Sequence, residues 1–446
     1  MFAKPKYLPD TSIATAYAER QTALPGQNLV WLKHRRDEAV AGFGAAGWPA
    51  GSVEAWKFTS LKPVLEFTVP EGERPHQGDI RAAVEKLDAL PVGPRMVFVN
   101  GVFNTSLSNI PEQAGVDIRP LSQLLNNDAG LVETYLGRLS VTDATAGFPQ
   151  VSLALAEEGM VIRLEEGVEL AQPLMVAHIH TGGAGAARVY SRHVIVLKPG
   201  SKMTLAEYQI GKPSAAYLAN ATSEIYISGG AALTHIFMQE ESEWALQVNT
   251  RYIRQEKQSR YHGLVMTTGA KLNRIETQIT LAGTQADSTL HTVQLVRDAL
   301  HSDSTTRMVH DTVDATSNQH CRMILDDSAK GVWQGKTVVA RDAQKTDARQ
   351  LNKNLLLSRA AVAHTKPELE IYADDVKCSH GATVGELDAK ALFYLESRGI
   401  SPDDAKRLLV GAFAAEAIDG AVIQDDFKAI LHRKVSEWME AREGRA

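Results

Sequence analysis

A chain of 446 residues, 44% hydrophobic and 22% charged, is long enough for about two or three domains around a large core. A formal charge of −6 leaves no broad basic surface for nucleic acid. Two cysteines cannot build a disulfide framework, so a reducing cytoplasm is the expected compartment. The opening MFAKPKYLPD lacks the apolar core of a signal peptide, and no run approaches the roughly 20 apolar residues that span a bilayer.

Residues from Thr11 to Phe43 read as helical. Leu29, Trp31, Leu32, Ala39 and Phe43 supply the apolar face, and Pro25-Gly26 breaks the segment in two. In GWPAGSVEAWKFTSL, Gly47 to Leu61, Trp56 and Phe58 can serve as a ligand platform or as packing aromatics that dock the helices; packing is the expectation. Around RMVFVNGVFNTSL the pattern turns to alternation. Asn100-Gly101 between apolar runs predicts a hairpin with a type I′ turn, which needs positive φ at both central residues. Leu121 to Leu139 reads as helix again.

From Val151 to Val376 the helix signal nearly vanishes. Short alternating runs are separated by turns carrying Gly167, Gly200, Gly230, Gly269 and Gly283 at irregular spacing. Strand, glycine turn, strand, repeated over so long a stretch, favours a solenoid of stacked coils over a sandwich. A solenoid exposes unpaired backbone at its ends, and helical segments on both flanks would serve as caps.

The histidines of this region divide by strand parity. In PLMVAHIHTGG, Met175, Ala177 and Ile179 share one face while His178 and His180 share the other. That spacing suits a metal, but the expectation is a solvent-facing polar row. His310-Asp311 and His320-Cys321 are adjacent pairs that a strand sends to opposite sides, so neither forms a couple; Cys321 is expected as a buried small hydrophobe.

The stretch PELEIYADDVKCSHGATVGELD, Pro367 to Asp388, carries the other cysteine. Its apolar parity changes near Asp374-Asp375, which predicts a bulge or strand break. Beyond it Cys378 and His380 share a face with Val376, with Ser379 turned away. Thiolate and imidazole suit zinc, copper(I) or iron–sulfur chemistry, yet two ligands do not close a site. A hydrophobic cysteine beside a hydrogen-bonded histidine is the structural alternative. After Gly385 come three amphipathic helices: Glu386 to Arg398 with Gly399 as C-cap, a second opened by Ser401-Pro402-Asp403-Asp404, and a third from Asp425 to Arg442. The expected segments are a mixed, largely helical 1–148, a β core 149–381 and a helical 382–446.

QLNKNLLLS, PELEIYADDVKCSHGATVGELD and ALFYLESRGI followed by FAAE together resemble the SufB/SufD family of iron–sulfur cluster assembly proteins. KCSHGATVG with FYLESRGI is most like its SufD branch. GKTVVARDAQKTDARQ and EAWKFTSL extend the resemblance almost end to end. It implies a right-handed parallel β-helix flanked by helical domains, a SufB-like protein as heterodimer partner, and a SufC-type ABC ATPase docked on the C-terminal helices. It also implies a nascent iron–sulfur cluster at the shared interface, with His380 and its neighbour Cys378 as this chain's contribution and an essential cysteine supplied by the SufB-like chain. No G-x-x-x-x-G-K-[ST] stretch occurs in the sequence, so ATP hydrolysis is expected on the partner. Dimerisation of two ATPase subunits would pull the docked helices and shift the interface. A homodimer of the isolated chain through the same edge is a further pairing that the sequence leaves open.

Two other classes compete. One is an enzyme with Cys378 as nucleophile and His380 as base, for which no orienting residue or oxyanion motif is visible. The other is a carbohydrate-active β-helix protein, which needs clustered carboxylates where the sequence has dispersed ones.

Overall fold

The computed structural model of the chain describes residues 7–443 apart from 9, 69–76, 92, 141–146 and 184–186. Residues 1–6, part of the stretch read above against a signal peptide, lie outside the described residues. Among the described residues no helix is long and apolar enough to cross a membrane.

The chain winds strand by strand between two sheets, each strand pairing in parallel with the one a full coil away. The result is a β-solenoid of about eight turns with helices at both ends. One sheet ends on Val362–Ile371 and the other on Lys377–Glu386. Arg188 pairs with Leu218, Leu246 with Leu272 and Lys330 with Val362, advances of 30, 26 and 32 residues per coil. Coils of unequal length keep their strands in register because the turns, not the strands, absorb the difference. Gly167, Gly200 and Gly230 take φ of 69°, 69° and 68° and stack on one another at one corner. Gly269 and Gly283 are glycines for a different reason. A Cβ there would lie 2.1 Å from the Glu241 carbonyl oxygen and 1.9 Å from the Lys257 nitrogen of the coil below. The left-handed residues in those turns are Ala270 and Gln285.

Between the sheets lies an apolar core that includes Ile195, Leu205, Ile225, Leu233, Ile253 and Ile275. The second sheet is buried on its outer face as well. Tyr208, Met238, Leu264 and Leu295 pack there against Val410, Ala414, Phe427 and Leu431 of helices Pro402–Gly420 and Asp425–Glu443. Ala83 and Leu87 of helix Gln77–Asp88 join the same layer.

This arrangement overturns the expectation of a solvent-facing histidine row. Met175, Ala177 and Ile179 face outward but lie beneath the helical layer, and His178 and His180, 4% and 3% exposed, face the interior. The parity was right; the helices changed which face meets water. Gly147–Leu155, at the start of the expected β region, is also a helix, buried on every side against Phe43, Trp48 and Trp56. A short continuous apolar run cannot be told from a buried strand by periodicity.

The N-terminal end of the solenoid is covered. Arg95–Val99 adds in parallel to Leu174–His180, Val116–Pro120 adds antiparallel to Met160–Leu164, and Asn100 and Gly101 make the expected hairpin turn with φ of 51° and 81°. Helices Ser12–Arg20 and Val30–Ala46 pack over the first coils, with Gly26 at φ 68° between them. Leu121 to Leu139 is two short helices, Leu121–Asn127 and Gly130–Glu133, and a turn rather than one helix. At the other end, Val362–Ile371 and Lys377–Glu386 each pair on one side only, and their residues are half-buried or exposed.

Candidate functional site

The parity change at Asp374-Asp375 is a strand break: Val362–Ile371 stops and Lys377–Glu386 begins in the other sheet. The new strand places Cys378 beside Ala348 and His380 beside Gln350. Gln350 reaches across the interior to Thr337 of the opposite sheet, its amide 2.6 Å from Oγ1, so this ladder faces inward. Cys378 and His380 therefore stand on the inner face of the last coil, at the open mouth of the solenoid. Cys378 is half-buried, packed with Val376 against the cluster Val339, Ala343 and Ala373. His380 is exposed, and its imidazole has no hydrogen-bond partner among the described residues.

Burial pushes the Cys378 thiol up, and the charge of Asp347 adds to it. A thiol so placed is not activated as a nucleophile, and no hydrogen bond joins it to His380. The geometry thus gives no support to a Cys–His enzyme. Its use as a metal ligand requires a cation to displace the proton. Among the described residues no three His, Cys, Asp or Glu side chains come together in metal-holding geometry. A thiol and an imidazole thus stand together at an open end.

Behind the mouth the interior is polar for one coil and then sealed. Asn354 Nδ2 donates to Asn352 Oδ1 at 2.7 Å and to the Thr383 carbonyl at 2.8 Å. Cys321, Met323 and Leu325 of the next coil inward form an apolar plug with Trp333 of this one. Cys321 is the buried hydrophobe expected, its thiol pushed up to about 12 by burial. At pH 8 only about one such thiol in ten thousand is ionised. A thiol reagent such as dithiobis-nitrobenzoate is therefore expected to titrate one cysteine in the folded chain, Cys378, and two after unfolding. Equal fast reaction of both would contradict the sealed plug.

Helix Ala389–Ser397 follows the site strand, capped by Asp388 accepting from the Lys390 N–H, and has no buried residue. Phe393 and Tyr394 on it, and Leu408 on the next helix, are 72%, 61% and 54% exposed. Ser401 caps that second helix as the sequence indicates, accepting from the Asp404 N–H. Glu416 ties it to the sheet through Arg322 and, at 3.1 Å, Lys353.

The EAWKFTSL segment forms a strap over the outer face of the other sheet. Trp56 stacks on Phe148 with centroids 5.4 Å apart and lies 4.0 Å from the Arg274 guanidinium. Gln334 donates to the Ala55 carbonyl at 2.9 Å. At the terminal coil, Phe58 stacks on His364 at 4.6 Å and Glu54 pairs with Lys366 at 2.5 Å. Both aromatics pack, as expected.

A second concentration of titratable groups lies deep in the first coils. His178 and His193 meet at 5.2 Å, and His235 Nε2 lies 2.9 Å from Glu207 Oε1. Burial holds His178 near 3 and His193 near 4, so both are neutral, and Arg251 lies over Phe237. All are 4% exposed or less. This cluster is cut off from solvent and from the mouth.

The fold is a helix-flanked β-solenoid that presents, rather than encloses, a thiol and an imidazole at its open end. Residues 178–413 match the SUF system FeS cluster assembly SufBD core domain, and residues 9–176 match the SufBD protein N-terminal region. The chain is 32% identical over 412 residues to an iron–sulfur cluster assembly SufBD family protein of Synechocystis, covering 90% of each. It is 31% identical over 379 residues to the iron–sulfur cluster assembly protein SufD of Escherichia coli, covering 83% of this chain and 84% of that one. To SufD of Bacillus subtilis it is 24% identical over 423 residues, with 92% and 95% covered. The chain belongs to the SufBD family, and its role lies in iron–sulfur cluster assembly by the SUF system.

Proposed function

We propose that this chain is a SufD-like scaffold subunit: it joins a SufB-like chain at its open solenoid end, offers His380 and Cys378 to a nascent iron–sulfur cluster shared with that chain, and docks a SufC-type ABC ATPase on its C-terminal helices. The observation that carries the reading is the placement of Cys378 and His380, inward-facing on a terminal coil whose strands are each paired on one side only. A bare strand edge is a template for strand addition from a second chain. Ile371, Tyr372 and Val384, 40%, 62% and 47% exposed, supply apolar surface at that end. Such an arrangement lets the missing ligands come in trans. The exposed Phe393, Tyr394 and Leu408 support the helical module as a separate docking surface. ATP-driven movement of that module would reach the site strand through the short link from Glu386 to Ala389.

The test is His380→Ala in the complex that co-purifies from the native host. Cluster formation is expected to fall by roughly tenfold or more. The unfolding temperature and the elution of the complex should not change, because His380 is exposed and unbonded. Cluster formation at the normal rate would remove His380 from the site. Crosslinks across the edge at Tyr372 or Val384 should change on adding ATP; an unchanged pattern would argue against the pulling step.

A further inference from the structure

Directly beneath His380 the inward ladder continues as Gln350 and then Gln319. Both are buried, 3% and 2% exposed, and they form a directed file of amides. Thr306 Oγ1 donates to Gln319 Oε1 at 2.6 Å. In the Gln350 amide orientation that satisfies its surroundings, Oε1 accepts from Gln319 Nε2 at 3.3 Å, from the Thr337 N–H at 3.2 Å and from Thr337 Oγ1 at 2.6 Å. Its Nε2 donates to the Gly335 carbonyl at 3.2 Å. The oxygen is saturated, while an amide nitrogen carries two hydrogens and one is used. Each bond polarises the next in the same sense, so the file ends on a strengthened N–H donor at the rung next to the mouth. Its partner across the last coil is His380, with Cys378 two residues away on the same inward face, and anionic sulfur is the species there that an N–H donor stabilises.

We propose that Gln350 is a donor to the sulfur of the metal centre assembled at the mouth, whether thiolate or sulfide, and so tunes that centre without being one of its ligands. The inference rests on the reading of Cys378 and His380 as a half-site. The locked amide matters: a donor already held by four bonds loses no freedom on binding, and a neutral donor stabilises sulfur charge without competing for the metal.

Cobalt(II) is the probe, titrated into the complex with its co-purified partners and followed by its d–d and thiolate-to-metal bands. Gln350→Leu is expected to weaken cobalt binding by about 10- to 100-fold and to move the charge-transfer band to lower energy, since sulfur that has lost a hydrogen bond is easier to oxidise. Gln350→Met reads the same way should the leucine variant fold poorly. A merely structural role predicts that Gln350→Leu and Gln319→Leu act alike, lowering the unfolding temperature and leaving the band in place; that result overturns the proposal. Unchanged band and affinity in Gln350→Leu, with cobalt binding lost in His380→Ala, overturns the role of Gln350 and leaves the half-site standing. Unchanged binding in His380→Ala overturns both.

Discussion

Replacing Asp303 with alanine is expected to destabilise the chain by roughly 3–5 kcal/mol, the cost of stranding a buried guanidinium. Arg274 and Asp303 are both fully buried and joined directly, under the strap that carries Trp56 and Thr59. Burial alone would lower the Arg274 pKa, but Asp303 and Glu276 more than offset it and hold the guanidinium charged. Without Asp303 its remaining acid is Glu276, at 3.1 Å and one-fifth exposed. Thr59 and Thr305 also lose their acceptor. Chemical denaturation checks the size of the loss, and a change below about 1 kcal/mol would show that the pair is not needed. Asp303→Leu combined with Arg274→Met should recover much of the loss, because no fully buried charge is left and Glu276, one-fifth exposed, keeps its bond from Gln278. The effect should also reach the mouth, because the same strap grips Lys366 and His364 on the terminal coil. Hydrogen exchange in Asp303→Ala is expected to quicken at 362–371 ahead of the central coils.

Acid is the second strong lever. Burial holds His178 near 3 and His193, His291 and His310 near 4, against about 6.5 for a free imidazole. The depressed values mean that the unfolded chain takes up protons first as pH falls. Stability is full above about pH 6.5 and declines from there toward pH 4, each histidine contributing up to about 1.4 kcal/mol per pH unit. Four such groups together can exhaust the stability of an ordinary domain before pH 4. Denaturation at pH 7.5, 6.5, 5.5 and 5.0 should give a steep downward slope below 6.5. His310→Gln should make it shallower by up to about 1.4 kcal/mol per pH unit, because the one imidazole it removes is bonded to Ser317 and the backbone near Ala315. A flat profile between pH 7 and 5 would mean that these imidazoles are hydrated.

Much of the site was legible in the sequence because it depends on local parity. Ser379 turned away from Cys378 and His380, and the break at Asp374-Asp375, both follow from strand alternation. The C-cap at Gly399, with φ 84°, the N-cap at Ser401 and the turn at Asn100-Gly101 are equally local, and all three formed. Gln350 and Gln319 could not be found that way. They become neighbours of His380 only through pairing between coils, and coils that advance by 26 to 32 residues carry no fixed period from which to count.

The sequence by itself determined that this is a stacked β architecture between helical segments, with a thiol and an imidazole on one strand face where it ends. Alternation, glycine and capping residues act within a few residues, and so they survive without tertiary context. The tertiary structure alone decided which side of each strand is inside. Met175, Ala177 and Ile179 look outward under a layer that joins helix Gln77–Asp88 to helices more than two hundred residues away, and His178 and His180 look into the core. Burial is set by what packs on a face, and at the last coil no described strand packs on the free edges, so the thiol and imidazole face inward and are still open.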